Sequence, residues 1–197
     1  DRFKVLDQDI FTVDPKRIGR HNCVVMDPPW YSPIFKQFMW LAGQAVEVGG
    51  IVGISMPPLN TKDDILVERL DWISYCSEQG LCLELLRPQQ LHYAMPFFEF
   101  NALRAAGVQG FPPFWRKGDL AIFRKICDKK TSRPPIPPSN DEKWSEIEIE
   151  GVRIRVQKNG EESKTPLKVT HILKGDILPS VSKSDTRRNE ANVWTSG

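Results

Sequence analysis

Val24-Val25-Met26-Asp27-Pro28-Pro29-Trp30-Tyr31 is the stretch on which the reading of the fold turns. Three apolar residues deliver an aspartate, two prolines and two aromatics. The apolar run predicts a buried strand. The proline rings fix two φ angles and hold Asp27 extended, so the loop that follows is stiff. A carboxylate at the carboxyl end of a strand is placed to accept a hydrogen bond from the exocyclic amine of a flat substrate. Trp30 or Tyr31 then stacks on the ring that carries the amine.

Outward from this stretch, strands and helices alternate. Pro33 to Val48 sets Ile34, Phe38, Leu41, Ala45 and Val48 at helical spacing, and Gly49-Gly50 is expected to stop that helix. Ile51 to Met56 reads as a buried strand. Residues 61–78 read as a second helix, with Ile65, Leu66, Leu70, Ile73 and Tyr75 among its apolar positions and Asp63, Asp64 and Glu68 where acids suit the helix dipole. Gly80 ends it, Leu81 to Leu86 follows as a strand, 90–115 is an aromatic-rich loop or short helix, and Leu120 to Arg124 is the last strand. Such alternation predicts parallel strands joined by crossovers. No regular helix separates the last two strands, so the final one is free to run antiparallel. Ligands of such sheets lie beyond the carboxyl ends of the strands, where Asp27 falls.

From residue 128 the composition changes. Residues 128–140 are polar and proline-rich and read as a semi-stiff linker. Beyond it, Ile147, Ile149, Val152, Ile154 and Val156 alternate with charges around Gly151, the pattern of a half-buried strand bent or bulged at the glycine. Val169 to Leu173 reads as another strand. Residues 141–197 are thus expected to form a small β-rich appendage with a flexible polar tail from Ser182.

Bulk numbers set the limits. In 197 residues, 40% hydrophobic with ten Phe and six Trp, there is enough apolar surface for a real core. The formal net charge of +2 is spread evenly and argues against tight, sequence-independent nucleic-acid binding without excluding a local basic face. The four cysteines form no Cys-x-x-Cys pair, and with three histidines they complete no metal ligand set, so no metal is expected. Cys23 and Cys82 read as small buried hydrophobes. A reduced intracellular, cytoplasmic setting, without signal peptide or membrane-spanning run, fits this usage. The chain opens at Asp1 and stops at Gly197, which reads as a piece of something longer.

Asp27-Pro28-Pro29-Trp30 resembles the signature of the amino-methyltransferases that use S-adenosylmethionine, and this variant is most similar to the adenine-N6 enzymes. The resemblance covers roughly residues 3–125. It implies a Rossmann-like, three-layer α/β sheet with an antiparallel last strand, filling 1–127. It also implies that Asp27 and the Pro28 carbonyl hold the amine, that Pro29 stiffens the motif, and that Trp30 or Tyr31 stacks on the base. Asp9-Ile10 matches the family's pair of an acid that ends a strand and the apolar residue after it, so the resemblance implies a strand leading to Asp9 and gives Asp9 the cofactor's adenine amine and Ile10 its ring, with Asp27 bordering the methyl donor. The implied partner is DNA or RNA. Tyr93, Phe97, Phe98 and Glu99 either shape a target-base pocket or simply pack. Arg116 and Lys117 either touch a phosphate or sit in a solvated turn, and the appendage offers a surface to a protein partner. One departure matters: no Gly-x-Gly occurs anywhere. The family's cofactor loop therefore lies upstream, comes in trans or has been lost. The last case leaves a methyltransferase-like scaffold or binding subunit, and a further alternative keeps the chemistry but changes the acceptor to a protein glutamine or a small-molecule amine.

Overall fold

The strand that carries the motif runs from His21 to Met26 (β1) and passes through Asp27-Pro28-Pro29 straight into a helix, Ser32–Ala45 (α2). Tyr31 is the extended N-cap of α2 and its carbonyl takes the Phe35 amide. Pro33, one of the first two helical residues, suits a helix start, where its missing N–H costs nothing. The computed structural model describes residues 4–95, 99–100, 103–104, 106–112 and 114–137, and the strands at 144–149, 152–157 and 193–195. Residues fall into two units, Asp1–Tyr93 with Arg116–Pro137 and Ala94–Trp115 with Pro138–Gly197.

In the first unit a short helix, Pro15–Ile18 (α1), precedes β1. After α2 come Val46–Met56 (β2), Ile65–Glu78 (α3), Leu81–His92 (β3) and Lys117–Lys125 (β4). The four strands form one mixed sheet in the order β1-β2-β4-β3. β1 and β2 are parallel, and β4 is antiparallel to both of its neighbours. The chain is therefore a mixed α/β protein, with the last strand reversed as expected. α2 and α3 cover the same face of the sheet. Phe35, Met39 and Ala42 of α2 meet Trp72 and Cys76 of α3 over Val46, Val52, Ile54, Leu81, Ala121 and Phe123. Phe35 and Trp72 stack at 4.2 Å between ring centroids. Each such side chain, taken fully out of water, contributes about 1.5–3 kcal/mol. The opposite face has no helix among the described residues of this unit, so two of the three expected layers are present there, and Val25 is 81% exposed.

Several local expectations change. Gly49-Gly50 does not stop α2, which ends at Ala45 with Val46 already in β2. The pairing jumps from His21↔Val46 to Cys23↔Ile51, so the glycines lie in a bulge. Gly49 has φ +86°, and a Cβ on Gly50 would come within 2.7 Å of the Asn22 carbonyl oxygen. α3 buries Ile65, Arg69, Trp72 and Cys76, while Leu66, Val67 and Leu70 face out. Arg69 is buried because Asp119 of β4 meets its Nη1 at 2.9 Å. Cys23 and Cys82 are exposed, since each sits on an edge strand on the uncovered face; Cys76 is the buried thiol. Residues 4–9 form no strand, and Val5 is 88% exposed.

The segment read as a linker from 128 belongs to the first unit as far as Pro137. In the second unit Trp144–Ile149 (β5) and Val152–Gln157 (β6) are two strands of an antiparallel pair, not one bent strand. Val193–Thr195 (β7) adds to β6 as a third strand where a flexible tail is expected. Val169 to Leu173 lies outside the described residues. Earlier in the same unit Phe100 meets Phe111 edge to face at 5.5 Å.

Candidate functional site

β1, β2 and β3 point the same way, and their carboxyl ends meet the start of β4 at one end of the sheet. Each element contributes one part. β1 delivers Asp27 and Trp30, β2 delivers the buried Ser55, Tyr93 follows β3, and Arg116 and Gly118 open β4. The Tyr93 amide donates to the Arg116 carbonyl, so the aromatic ring is fixed just past the ladder.

Four side chains form a chain of hydrogen bonds. The Tyr93 hydroxyl donates to Asp27 Oδ1 at 2.7 Å and is in turn hydrogen-bonded to Ser55 Oγ. Trp30 Nε1 donates to the same Ser55 oxygen at 3.2 Å. Trp30 and Tyr93 meet edge to face at 5.9 Å, and the Arg116 guanidinium lies 5.4 Å from the Trp30 ring centroid and 5.9 Å from that of Tyr93. The cluster closes over Gly118, where a Cβ would lie 2.9 Å from Tyr93 Cε2, 3.1 Å from Ser55 Oγ and 3.2 Å from Trp30 Cζ2. Burial first, and then the Asp27 carboxylate, push the Tyr93 phenol up to about 12, against the opposing pull of Ser55 and Arg116. At neutral pH it is therefore a hydrogen-bond donor. Asp27 itself is exposed, with Oδ1 committed to Tyr93 and no hydrogen-bond partner at Oδ2 among the described residues.

The remaining motif residues divide. Pro28 is buried and Pro29 exposed, with the Pro29 carbonyl taking the Tyr31 amide at 2.8 Å. Tyr31 has half its surface exposed. Trp30 is pinned at its Nε1 and flanked by Arg116.

Asp9 and Ile10 lie on a tight turn. Asp9 Oδ1 takes the Phe11 amide at 2.9 Å, and the Asp9 carbonyl takes those of Thr12 and Val13. Ile10 lines an apolar groove of about 360 Å³ that runs along β1 and α2 and includes Met26, the residue before Asp27, together with Val24, Phe38 and Leu41. Asp9 is not part of its lining. Phe97 and Phe98 lie outside the described residues, and Glu99 is buried. Among the described residues no group of three or more His, Cys, Asp or Glu stands close enough to hold a metal, and no helix is long and apolar enough to cross a membrane.

Ser55, Arg116 and Gly118 complete the cluster beyond what the motif shows. Ser55 carries a legible signal, since it closes the second parallel strand at the end where ligands of such sheets bind. The ring contacts of Arg116 and the space left by Gly118 depend on which residues the ladder sets side by side, and no local pattern shows that. Comparison with protein-family models, curated proteins and solved structures finds no match.

Proposed function

We propose that this chain transfers a methyl group from S-adenosylmethionine to an exocyclic amine, adenine-N6 in DNA or RNA, on a Rossmann-like methyltransferase sheet. The observation that carries the proposal is the Asp27 carboxylate, set at the carboxyl end of β1 with one oxygen held by Tyr93 and the other open to an N–H donor. The reversed β4 is what the Asp-Pro-Pro-Trp resemblance implies.

The cofactor supplies an electrophilic methyl carried on a sulfonium. Its adenosyl part suits the groove between Ile10 and Met26, which is apolar, open to solvent and beside Asp27. The chain's own task is then to place the acceptor. Asp27 Oδ2 would take one amine N–H and the Pro28 carbonyl the other, leaving the nitrogen lone pair to form the N–C bond as the donor's S–C bond breaks, with the surplus amine proton released to solvent. Such positioning is the larger part of catalysis when the donor is already activated. Tyr31, half exposed, stacks on the acceptor ring. Trp30 instead buttresses Asp27 through Ser55 and Tyr93. A base in a duplex has to be flipped out to reach this site.

Asp27→Ala tests the reading. Because the side chain is exposed, the variant folds, and transfer to an adenine-bearing oligonucleotide drops to background. Undiminished transfer removes Asp27 from the mechanism. A scaffold role follows if the wild-type chain folds and neither binds cofactor nor transfers, a reading favoured by the lack of any Gly-x-Gly. Transfer to a glutamine peptide or a small amine, with none to nucleic acid, redirects the acceptor instead.

A further inference from the structure

Residues 128–137 leave β4 and strap the outside of α2. The Thr131 carbonyl takes Trp40 Nε1 at 3.1 Å, the Thr131 hydroxyl donates to Gln79 Oε1, and the Pro134 carbonyl takes Gln37 Nε2 at 2.6 Å. Pro134 and Pro135 restrict what the strap can otherwise do. Arg133 lies between these anchors. Its guanidinium sits 4.5 Å from the Trp40 ring centroid, its Nη1 donates to the Phe11 carbonyl at 2.8 Å, and its Nη2 donates to the Val13 carbonyl.

Those two carbonyls belong to the turn that begins at Asp9. The Thr12 and Val13 amides point back to the Asp9 carbonyl, and the Phe11 amide points to the Asp9 side chain. One planar fork therefore grips the turn at two points, from 120 residues away in sequence. A planar guanidinium over an indole, with two of its nitrogens donating to neighbouring carbonyls, fixes orientation as well as distance, which a lysine ammonium cannot do. Val13 is packed with Trp40 and Leu41, and Ile10 rests against the same small cluster, so the turn is seated on α2. Arg133 is the polar part of that seat.

We infer that Arg133 is a positioning residue for Asp9 and Ile10, which sets how tightly the chain holds its methyl donor without touching the donor itself. The inference rests on the reading of Asp9-Ile10 as the seat of the adenosyl group.

The test is a calorimetric titration of S-adenosylmethionine into the wild-type chain, Arg133→Ala, Arg133→Lys and Asp9→Ala, with amide hydrogen exchange at Thr12 and Val13 followed in the same proteins. Arg133→Ala is expected to weaken binding about tenfold to a hundredfold, the range for a lost charge-assisted bond, and to speed exchange at both amides. Arg133→Lys keeps the charge and falls between. Phe123→Leu, a core variant that lowers thermal stability away from the turn, leaves the affinity unchanged. Unchanged affinity in Arg133→Ala alongside a loss in Asp9→Ala overturns the inference, as does unchanged exchange at Thr12 and Val13. If Asp9→Ala binds like the wild type while Arg133→Ala speeds exchange, Arg133 holds the turn and it is the reading of Asp9-Ile10 that fails. If the wild-type chain binds no cofactor, both fall as statements about affinity, and the exchange result alone upholds or removes Arg133 as the holder of the turn.

Discussion

Tyr93 donates its hydroxyl to Asp27 across 2.7 Å, although 66 residues separate the two. The contact exists because β3, which ends just before Tyr93, runs in the same direction as β1, so both arrive at the same end of the sheet. Tyr93→Phe deletes the donor and keeps the ring. Removing a hydrogen bond to a charged group costs about 1.5–3 kcal/mol, so methyl transfer is expected to slow by about tenfold to a hundredfold. The effect belongs in kcat, with cofactor affinity unchanged. Steady-state kinetics with separate cofactor titration checks this, and a change confined to affinity contradicts it.

Gly118→Ala asks whether the cluster tolerates one methyl group. The new Cβ would lie 2.9 Å from Tyr93 Cε2 and 3.1 Å from Ser55 Oγ, closer than ordinary packing allows. Overpacking of this kind costs about 1–3 kcal/mol. The expected outcome is a lowered Tm together with a changed near-ultraviolet circular dichroism signal from Trp30 and Tyr93. An unaltered spectrum would show that the ring pair has room to spare.

Alkaline pH probes the same phenol. The folded chain holds the Tyr93 proton up to about 12, whereas the unfolded chain loses it near the ordinary value of 10.0. The folded state then binds more protons than the unfolded state, and stability falls as pH rises. Tyr93 thus contributes fully below pH 10.0 and its contribution is lost as the pH climbs to about 12. Chemical denaturation across this window should be steeper in pH for the wild type than for Tyr93→Phe. Parallel curves would place the phenol in a more open setting.

Asp119 serves two partners at the far side of the sheet. Its Oδ2 meets Arg69 at 2.9 Å and its Oδ1 takes the Gln89 amide at 2.7 Å, where Gln89 adopts φ +53°. Both charged side chains are buried. Asp119→Ala leaves the Arg69 charge uncompensated, for which about 3–5 kcal/mol is the expected loss. Arg69→Met with Asp119→Leu restores much of it, as measured by urea denaturation. A loss in the double variant equal to that of Asp119→Ala would assign the cost to the bulge at Gln89 instead.

The α/β order and the placing of Asp27 at a strand end were legible because each follows from a run of like residues or from a proline, and the final strand was free to reverse because no regular helix precedes it. What failed was local pattern with two physical meanings. Gly49-Gly50 suits a helix stop and a bulge equally, and only the approach of the Asn22 carbonyl decides for the bulge. Leu66 and Leu70 are as apolar as a buried stripe requires, yet Arg69 takes the buried position because its partner arrives on β4, 50 residues later. Cys23 and Cys82 sit in apolar runs whose outer face has no helix over it among the described residues of the first unit. Tyr93 is the site's counterpart of these cases, since its role depends on the length of β3 and the bulges within it.

One row of the ladder bears on how the molecule could be watched. Cys23 pairs laterally with Ile51, Ile51 with Arg124, and Arg124 with Cys82, so the two thiols stand on one face at opposite edges of the four-stranded sheet. Three strand spacings separate their backbones, about 14 Å. Both thiols are exposed while Cys76 is buried. Once the remaining thiol is removed by Cys127→Ser, the native chain carries a spin-label ruler across its sheet, and any event that parts β1 from its neighbours lengthens it.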